Sequence, residues 1–179
     1  MDIVISMLRG VNVGAHHRIR MADLSAVYES LGHCDVRTYV QSGNVVSRHP
    51  AASAHALEAA LERKFGFRPA VILRTIPELR EAIARNPFPG VEPAKLLLLF
   101  LAEDPGEEAR RQVAAMQAAP EQIAASGRDV YIYFPNGMAR PKLSMPAVGK
   151  TLKVAATGRN WNTVTKLLEM AEALGADGA

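Results

Sequence analysis

The alternation of apolar and polar positions divides this chain into two similar halves. Ile3 to Leu8 is a short, mostly apolar run with β-branched residues and predicts a buried strand. A polar loop from Arg9 to Arg20 follows, with Gly10 and Gly14 as breakers. Met21, Leu24, Val27, Tyr28 and Leu31 fall at helical spacing, and Gly32 supplies a stop. Val36–Val40 and Asn44–Ser47 read as a hairpin around Gln41-Ser42-Gly43, with Gly43 free to take positive φ. Leu57, Leu61 and Phe65 line one face of a helix over Ala54–Phe65, capped by Ser53. Ala70–Ile76 reads as a strand.

The second half repeats this order. A connecting helix over Pro77–Ala84 precedes the breaker Pro87-Phe88-Pro89-Gly90. Lys95–Leu101 predicts a strand, and Glu107–Gln117 a helix whose paired acids suit its N-terminal dipole. Gln122–Ala125 and Asp129–Phe134 form a second hairpin around Ser126-Gly127-Arg128. A weak helix over Leu143–Gly149, a short strand over Leu152–Ala155 and a strong helix over Trp161–Leu174 complete the chain. Each half reads βαββαβ, the ferredoxin-like or split-βαβ order. The expected fold class is therefore α+β, two successive ferredoxin-like units spanning residues 1–76 and 77–179, with added linking and C-terminal helices. Leu96–Leu101 does not alternate, so both faces of that strand should be covered, most simply by the other unit or a second chain.

Composition narrows the class. The chain has 179 residues, 49% of them hydrophobic, enough for a real core. The longest apolar run, Leu96–Ala102, is strand-sized, and the N-terminus lacks signal-peptide features, so a cytoplasmic protein without a membrane partner is expected. Cys34 is the only cysteine, which excludes an intrachain disulfide and leaves no zinc-thiolate pattern; a buried, inert thiol is expected there. Adjacent His16-His17 do not make a ligand pair, and no metal or cofactor is expected.

Net charge is only +3, but it is segmental. Residues 1–76 carry nine Lys/Arg against six Asp/Glu, whereas residues 77–179 carry twelve against twelve. Ile3–Ala22 and Val130–Leu168 contain no acid. Four polar segments stand out: Arg9–Gly14, Arg37–Asn44, Pro135–Gly137 with Arg140 and Lys142, and Thr157–Thr163. Each mixes a cation with Asn, Gly, Ser or Thr, the chemistry of oxyanion recognition. Asn160 or Asn162 can cap the final helix beside Arg159, making either an anion site or a plain cap, with capping favoured on that segment taken alone. Gly10-x-x-x-Gly14 follows a strand but has neither Walker nor Rossmann spacing. Tyr131 and Tyr133 share a strand face, where packing is favoured over a nucleic-acid stacking platform.

Three ordered motifs resemble the bacterial domain-of-unknown-function family 1697. They are Leu8–Gly14, then Val36–Tyr39 with Gln41–Val46, and Arg159–Val164 with Lys166-Leu167. Asn136-Gly137 and Lys142-Leu143 fit as well. Ala15, Gly158 and Pro141 depart from the family pattern, where a glycine, a Thr and a Ser are usual. The resemblance implies two ferredoxin-like units and no defined activity.

These readings lead to one expectation about function. Arg9, Asn12, Arg37, Asn44, Arg159 and Asn160 would line a basic cleft between the units that binds a phosphate-bearing or other anionic ligand, a nucleotide or nucleic acid. The competing reading is a structural or protein-interaction module or homodimer without catalysis, whose polar motifs are turns and caps. An enzyme acting on a phosphoester ranks last, because no nucleophile–base pair, acid–base pair or metal cluster assembles from the sequence.

Overall fold

A computed structural model of the chain describes residues 1–116 and 118–178. It is a mixed α+β structure with six α-helices and two four-stranded antiparallel sheets among those residues. The strands of the first sheet are β1 (Asp2–Leu8), β2 (Cys34–Tyr39), β3 (Asn44–His49) and β4 (Val71–Arg74), in the order β2-β3-β1-β4. The second sheet contains β5 (Leu96–Leu101), β6 (Gln122–Ser126), β7 (Asp129–Tyr133) and β8 (Ala156–Asn160), in the order β6-β7-β5-β8. The helices are α1 (Met21–Ser30), α2 (Ala54–Phe65), α3 (Ile76–Ala84), α4 (Glu107–Ala114), α5 (Met145–Leu152) and α6 (Trp161–Ala176).

By packing, one compact unit comprises Met1–Arg80 with Lys166–Ala179, and the other Glu81–Thr165. The chain passes from unit to unit within α3 and again within α6, and the last turns of α6 join the first unit.

In the first unit, Leu8, Val45 and Val71 project from the sheet onto Leu24, Val27, Tyr28, Leu57 and Leu61 of α1 and α2. α2 begins where expected, with Ser53 Oγ accepting from the Ala56 N–H at 3.2 Å, and ends at Gly66 in the left-handed region. The other face of the sheet carries Ile5, Met7, Val46 and Ile72, all buried. The end of α6 meets that face: Arg48 donates to the Leu174 carbonyl, and Arg37 pairs with Asp177 at 3.0 Å. Cover for this face of the first sheet thus comes in part from a helix remote in sequence.

In the second unit, Leu99, Leu101, Val130 and Ile132 pack with Val113 of α4 and Val148 and Leu152 of α5. Gly158 sits where an added Cβ would lie 3.0 Å from Leu97 and 3.1 Å from Leu99, so the leucines of β5 close over it. Two boundaries differ from the sequence reading. The chain does not stop at Gly149 but stays helical to Leu152, with Lys153 closing the helix in the left-handed region. The last strand is therefore not Leu152–Ala155 but Ala156–Asn160, paired along β5. Ala-Thr-Gly-Arg-Asn has weak strand propensity; the ladder to an all-apolar central strand overrides it. The predicted end of the fourth helix at Gln117 lies outside the described residues, and α4 is assigned to Ala114.

Candidate functional site

The β1–α1 connection is the most elaborate loop of the first unit. Gly10, Asn12, Gly14 and His17 all have positive φ, so the chain reverses its hand repeatedly over eight residues. Such reversals suit glycine and are tolerated by asparagine. Asn12 holds the loop together. Its Oδ1 accepts from the Ile19 N–H at 2.8 Å, and its Nδ2 donates to the Ile19 carbonyl at 3.0 Å and to the Gln41 carbonyl at 2.6 Å. The last bond ties this loop to the β2–β3 turn. At Gly43, φ is +80°, and a Cβ would stand 2.7 Å from Val11 and 2.8 Å from the Leu8 Cβ. Glycine is required there on both counts. Asn44, fully buried, donates to the Tyr39 carbonyl at 3.0 Å and to Ser42 Oγ at 2.9 Å.

What this framework presents to solvent is basic. Arg9, His16, His17 and Arg18 are exposed. The imidazole of His17 stacks on Phe67 at 4.1 Å, while the guanidinium groups of Arg9 and Arg18 have no side-chain partner among the described residues. The backbone N–H groups of Gly10, Val11, Gly14 and Ala15 likewise have no hydrogen-bond partner among the described residues. Arg20, by contrast, is paired with Asp23 at 2.8 Å. Val13 and Val40 are the exposed apolar residues of these two loops, and Val40 takes φ +49°, an uncommon and costly conformation for a β-branched side chain.

The six sequence-selected residues fall into two sets. Arg9, Asn12, Arg37 and Asn44 belong to the first unit, and Arg159 and Asn160 to the second. Both donors of Asn12 and both donors of Asn44 are engaged inside the protein, so these amides shape the loops. Arg37 is exposed and shares its charge with Asp177. Arg159, on β8, is 8% exposed and donates to Thr157 Oγ1 and to the Gly158 carbonyl, each at 2.9 Å. Its burial pulls the guanidinium down to about 10, since desolvation disfavours the charged form. Asn160 caps α6 by accepting the Thr163 N–H at 3.0 Å, which decides between the two asparagines considered.

Tyr131 is buried with its hydroxyl donating to the Ala82 carbonyl, which removes it from any stacking platform. Cys34 is exposed rather than buried, because it opens the edge strand β2. No group of three or more potential ligands for a metal ion occurs among the described residues. No described helix is long and apolar enough to cross a membrane.

One feature of the first unit gave no sequence signal. Ser6, Tyr28, His33 and Ser47 are all buried between sheet and helices. His33 Nδ1 bonds Ser47 Oγ at 2.8 Å, and its ring stacks on His49 at 4.4 Å and meets Tyr28 edge-on. Burial first, and the neighbouring His49 second, lower the His33 pKa to about 4. Burial raises the Tyr28 phenol well above its usual value, an effect the neighbouring Ser6 hydroxyl opposes; neither hydroxyl has a well-formed hydrogen bond among the described residues.

Comparison with known proteins agrees with the motif resemblance. No curated protein matches the chain. The conserved bacterial protein SP0830 from Streptococcus pneumoniae has a similar solved structure, with TM-score 0.70 and 22% identity over 95% of this chain and 98% of that one. That likeness concerns the fold alone. The profile of the family described as "Protein of unknown function (DUF1697)" matches residues 1–131, and the chain belongs to that family.

Proposed function

We propose that this is a cytoplasmic protein of two ferredoxin-like units that binds a phosphate-bearing or other anionic ligand at the β1–α1 loop of the first unit. The strand order, with the first strand of each set central and all neighbours antiparallel, supports the ferredoxin-like reading. One observation carries the ligand reading. In a segment without a single acid, two exposed guanidinium groups and four backbone N–H groups have no partner among the described residues. Guanidinium forks and turn N–H groups are the donors that recognise phosphate oxygens. Asn12 and Asn44 serve indirectly, by fixing the loop before the ligand arrives, and the strained Val40 lies in the turn that Asn12 grips. Arg37 is not counted among these donors, because its guanidinium is paired with Asp177.

The engagement of both amide donors of Asn12 and of Asn44, with the cap made by Asn160, favours a second reading, a protein-interaction module whose motifs are turns and caps. Titration of the full chain with inorganic phosphate, ATP and a short oligouridylate, followed by amide NMR shifts and thermal midpoint, separates the two. Anion binding predicts shifts at Gly10–Arg18, a midpoint that rises with ligand, and at least tenfold weaker binding for Arg9→Ala with Arg18→Ala. Binding of the oligonucleotide should weaken with added salt. The anion reading fails if all three probes leave these amides and the midpoint unmoved.

A further inference from the structure

The edges of the two sheets are not treated alike. β2 is bulged between Cys34 and Arg37 and carries Asp35, which pairs with Arg48 at 3.0 Å. On β4 the first N–H, that of Val71, donates to Glu58 Oε1 at 3.0 Å. On β8 the Gly158 carbonyl is taken by Arg159. Bulges, charges and side-chain bonds of this kind are how edge strands avoid pairing with another chain.

β6 has none of these protections. Its sequence, Gln-Ile-Ala-Ala-Ser, contains no charge and no proline. Its register with β7 closes at Ser126↔Asp129 around a two-residue turn. In that geometry Gln122, Ala124 and Ser126 bond to β7, and Ile123 and Ala125 turn their N–H and C=O groups outward. These outward groups have no partner among the described residues.

A groove of about 320 Å³ runs beside this strand. Pro87 and Phe88 contribute to one wall, and Phe88 packs against Tyr133 on the sheet face away from α4. Ala114 and Met116, at the end of α4, line the other side, and Met116 packs into the core on the helix face. Glu121, immediately before β6, also lines the groove. Its Oε1 accepts the Lys142 N–H at 2.8 Å, but its Oε2 is buried and has no hydrogen-bond partner among the described residues. A carboxylate oxygen removed from water without a donor is costly, and a cation or N–H brought to it relieves that cost.

From these features together we infer that β6 is a strand-addition site for an extended peptide segment of a partner protein bearing a Lys or Arg. The peptide backbone pairs with Ile123 and Ala125, an apolar side chain lies between Phe88 and Met116, and the Glu121 carboxylate turns its Oε2 out of the buried position to meet the cation. Main-chain bonds supply affinity in this recognition mode, and the flanking pockets supply selectivity. The unpaired carboxylate selects against acidic segments.

The test uses the full chain and a set of blocked octapeptides of alternating Val and Thr, with Lys, Arg, Glu or Ala at one inward position. Lys and Arg peptides should saturate, shift the Ile123 and Ala125 amides and slow their hydrogen exchange. Ala125→Pro removes one outward donor without breaking the β6–β7 ladder and should weaken binding at least tenfold. Glu121→Gln should abolish the preference for Lys over Glu, and it keeps the inference testable should the proline variant not fold. Absence of binding by every peptide overturns the inference, as does binding that leaves Ile123 and Ala125 unmoved. So does equal binding of the Lys and Glu peptides to the unmodified protein. Concentration-dependent self-association lost in Ala125→Pro would assign the edge to a second copy of the chain and likewise overturn it.

Discussion

Between the first strand and first helix of the first unit the chain runs for twelve residues, Arg9 to Arg20; the matching connection of the second unit, Ala102 to Gly106, takes five. The long loop is basic and acid-free, while the short one carries Glu103 and Asp104. The interiors differ as well. β1 places Ser6 beneath the helices, near Tyr28 and His33, whereas β5 presents Leu97, Leu99 and Leu101 to its own helices. One strand order thus accepts a dry leucine core in one unit and a polar seam in the other. Loop length costs little in closure entropy, so elaboration collects in a connection while the sheet stays constant.

The comparison is sharpest at the two hairpin glycines. Gly43→Ala forces a left-handed alanine and drives its Cβ into Leu8 and Val11, whereas the nearest atom to a Cβ at Gly127 is the end of Arg85, 3.7 Å away. The first should lose about 3 kcal/mol by strain and overpacking together, and the second about 1 kcal/mol by backbone strain alone. Urea unfolding midpoints measure both, and equal losses would mean that the first loop is not packed against its turn.

The polar seam predicts acid sensitivity specific to the first unit. His33 titrates near 4 when folded, against about 6.5 when unfolded. As pH falls the unfolded chain takes up its proton first, so stability is full above pH 6.5 and falls between 6.5 and 4, by on the order of 2 kcal/mol. Stability against pH should show this slope, and His33→Gln should flatten it.

Smaller effects separate loop staple from helix cap. Asn12→Ala removes three hydrogen bonds of the first unit and should cost about 1.5 kcal/mol, with faster amide exchange at Ile19. Asn160→Ala removes one cap and should cost about 1 kcal/mol. Arg37→Ala should change stability by less than about 0.5 kcal/mol, because its ion pair with Asp177 is exposed.

The elements themselves were legible in the sequence. α2 occupies the predicted Ala54–Phe65, and both hairpins turn at the predicted glycines. Local signals sufficed there: a cap at Ser53, apolar spacing along one helix face, and glycines at positive φ. The last strand was misplaced because Lys153 ends α5 without a glycine, and because Ala156–Asn160 gains its strand conformation from β5 rather than from its own residues.

The candidate site was legible only as chemistry. Arg9, Asn12, Arg37, Asn44, Arg159 and Asn160 look alike in a linear reading, each a polar residue beside a glycine or a strand end. The fold gives them different work: Asn12 and Asn44 spend their donors on carbonyls and a hydroxyl, Arg159 is withdrawn from water, and Arg9 has no partner among the described residues. Periodicity, capping and turn chemistry act over a few residues, so the sequence alone determined the helices, the turns and the order βαββαβ. Hydrogen-bond partners, burial and the membership of the last helix depend on residues far apart in the chain. Those were decided by tertiary structure, because a side chain's chemistry is set by what it meets after folding.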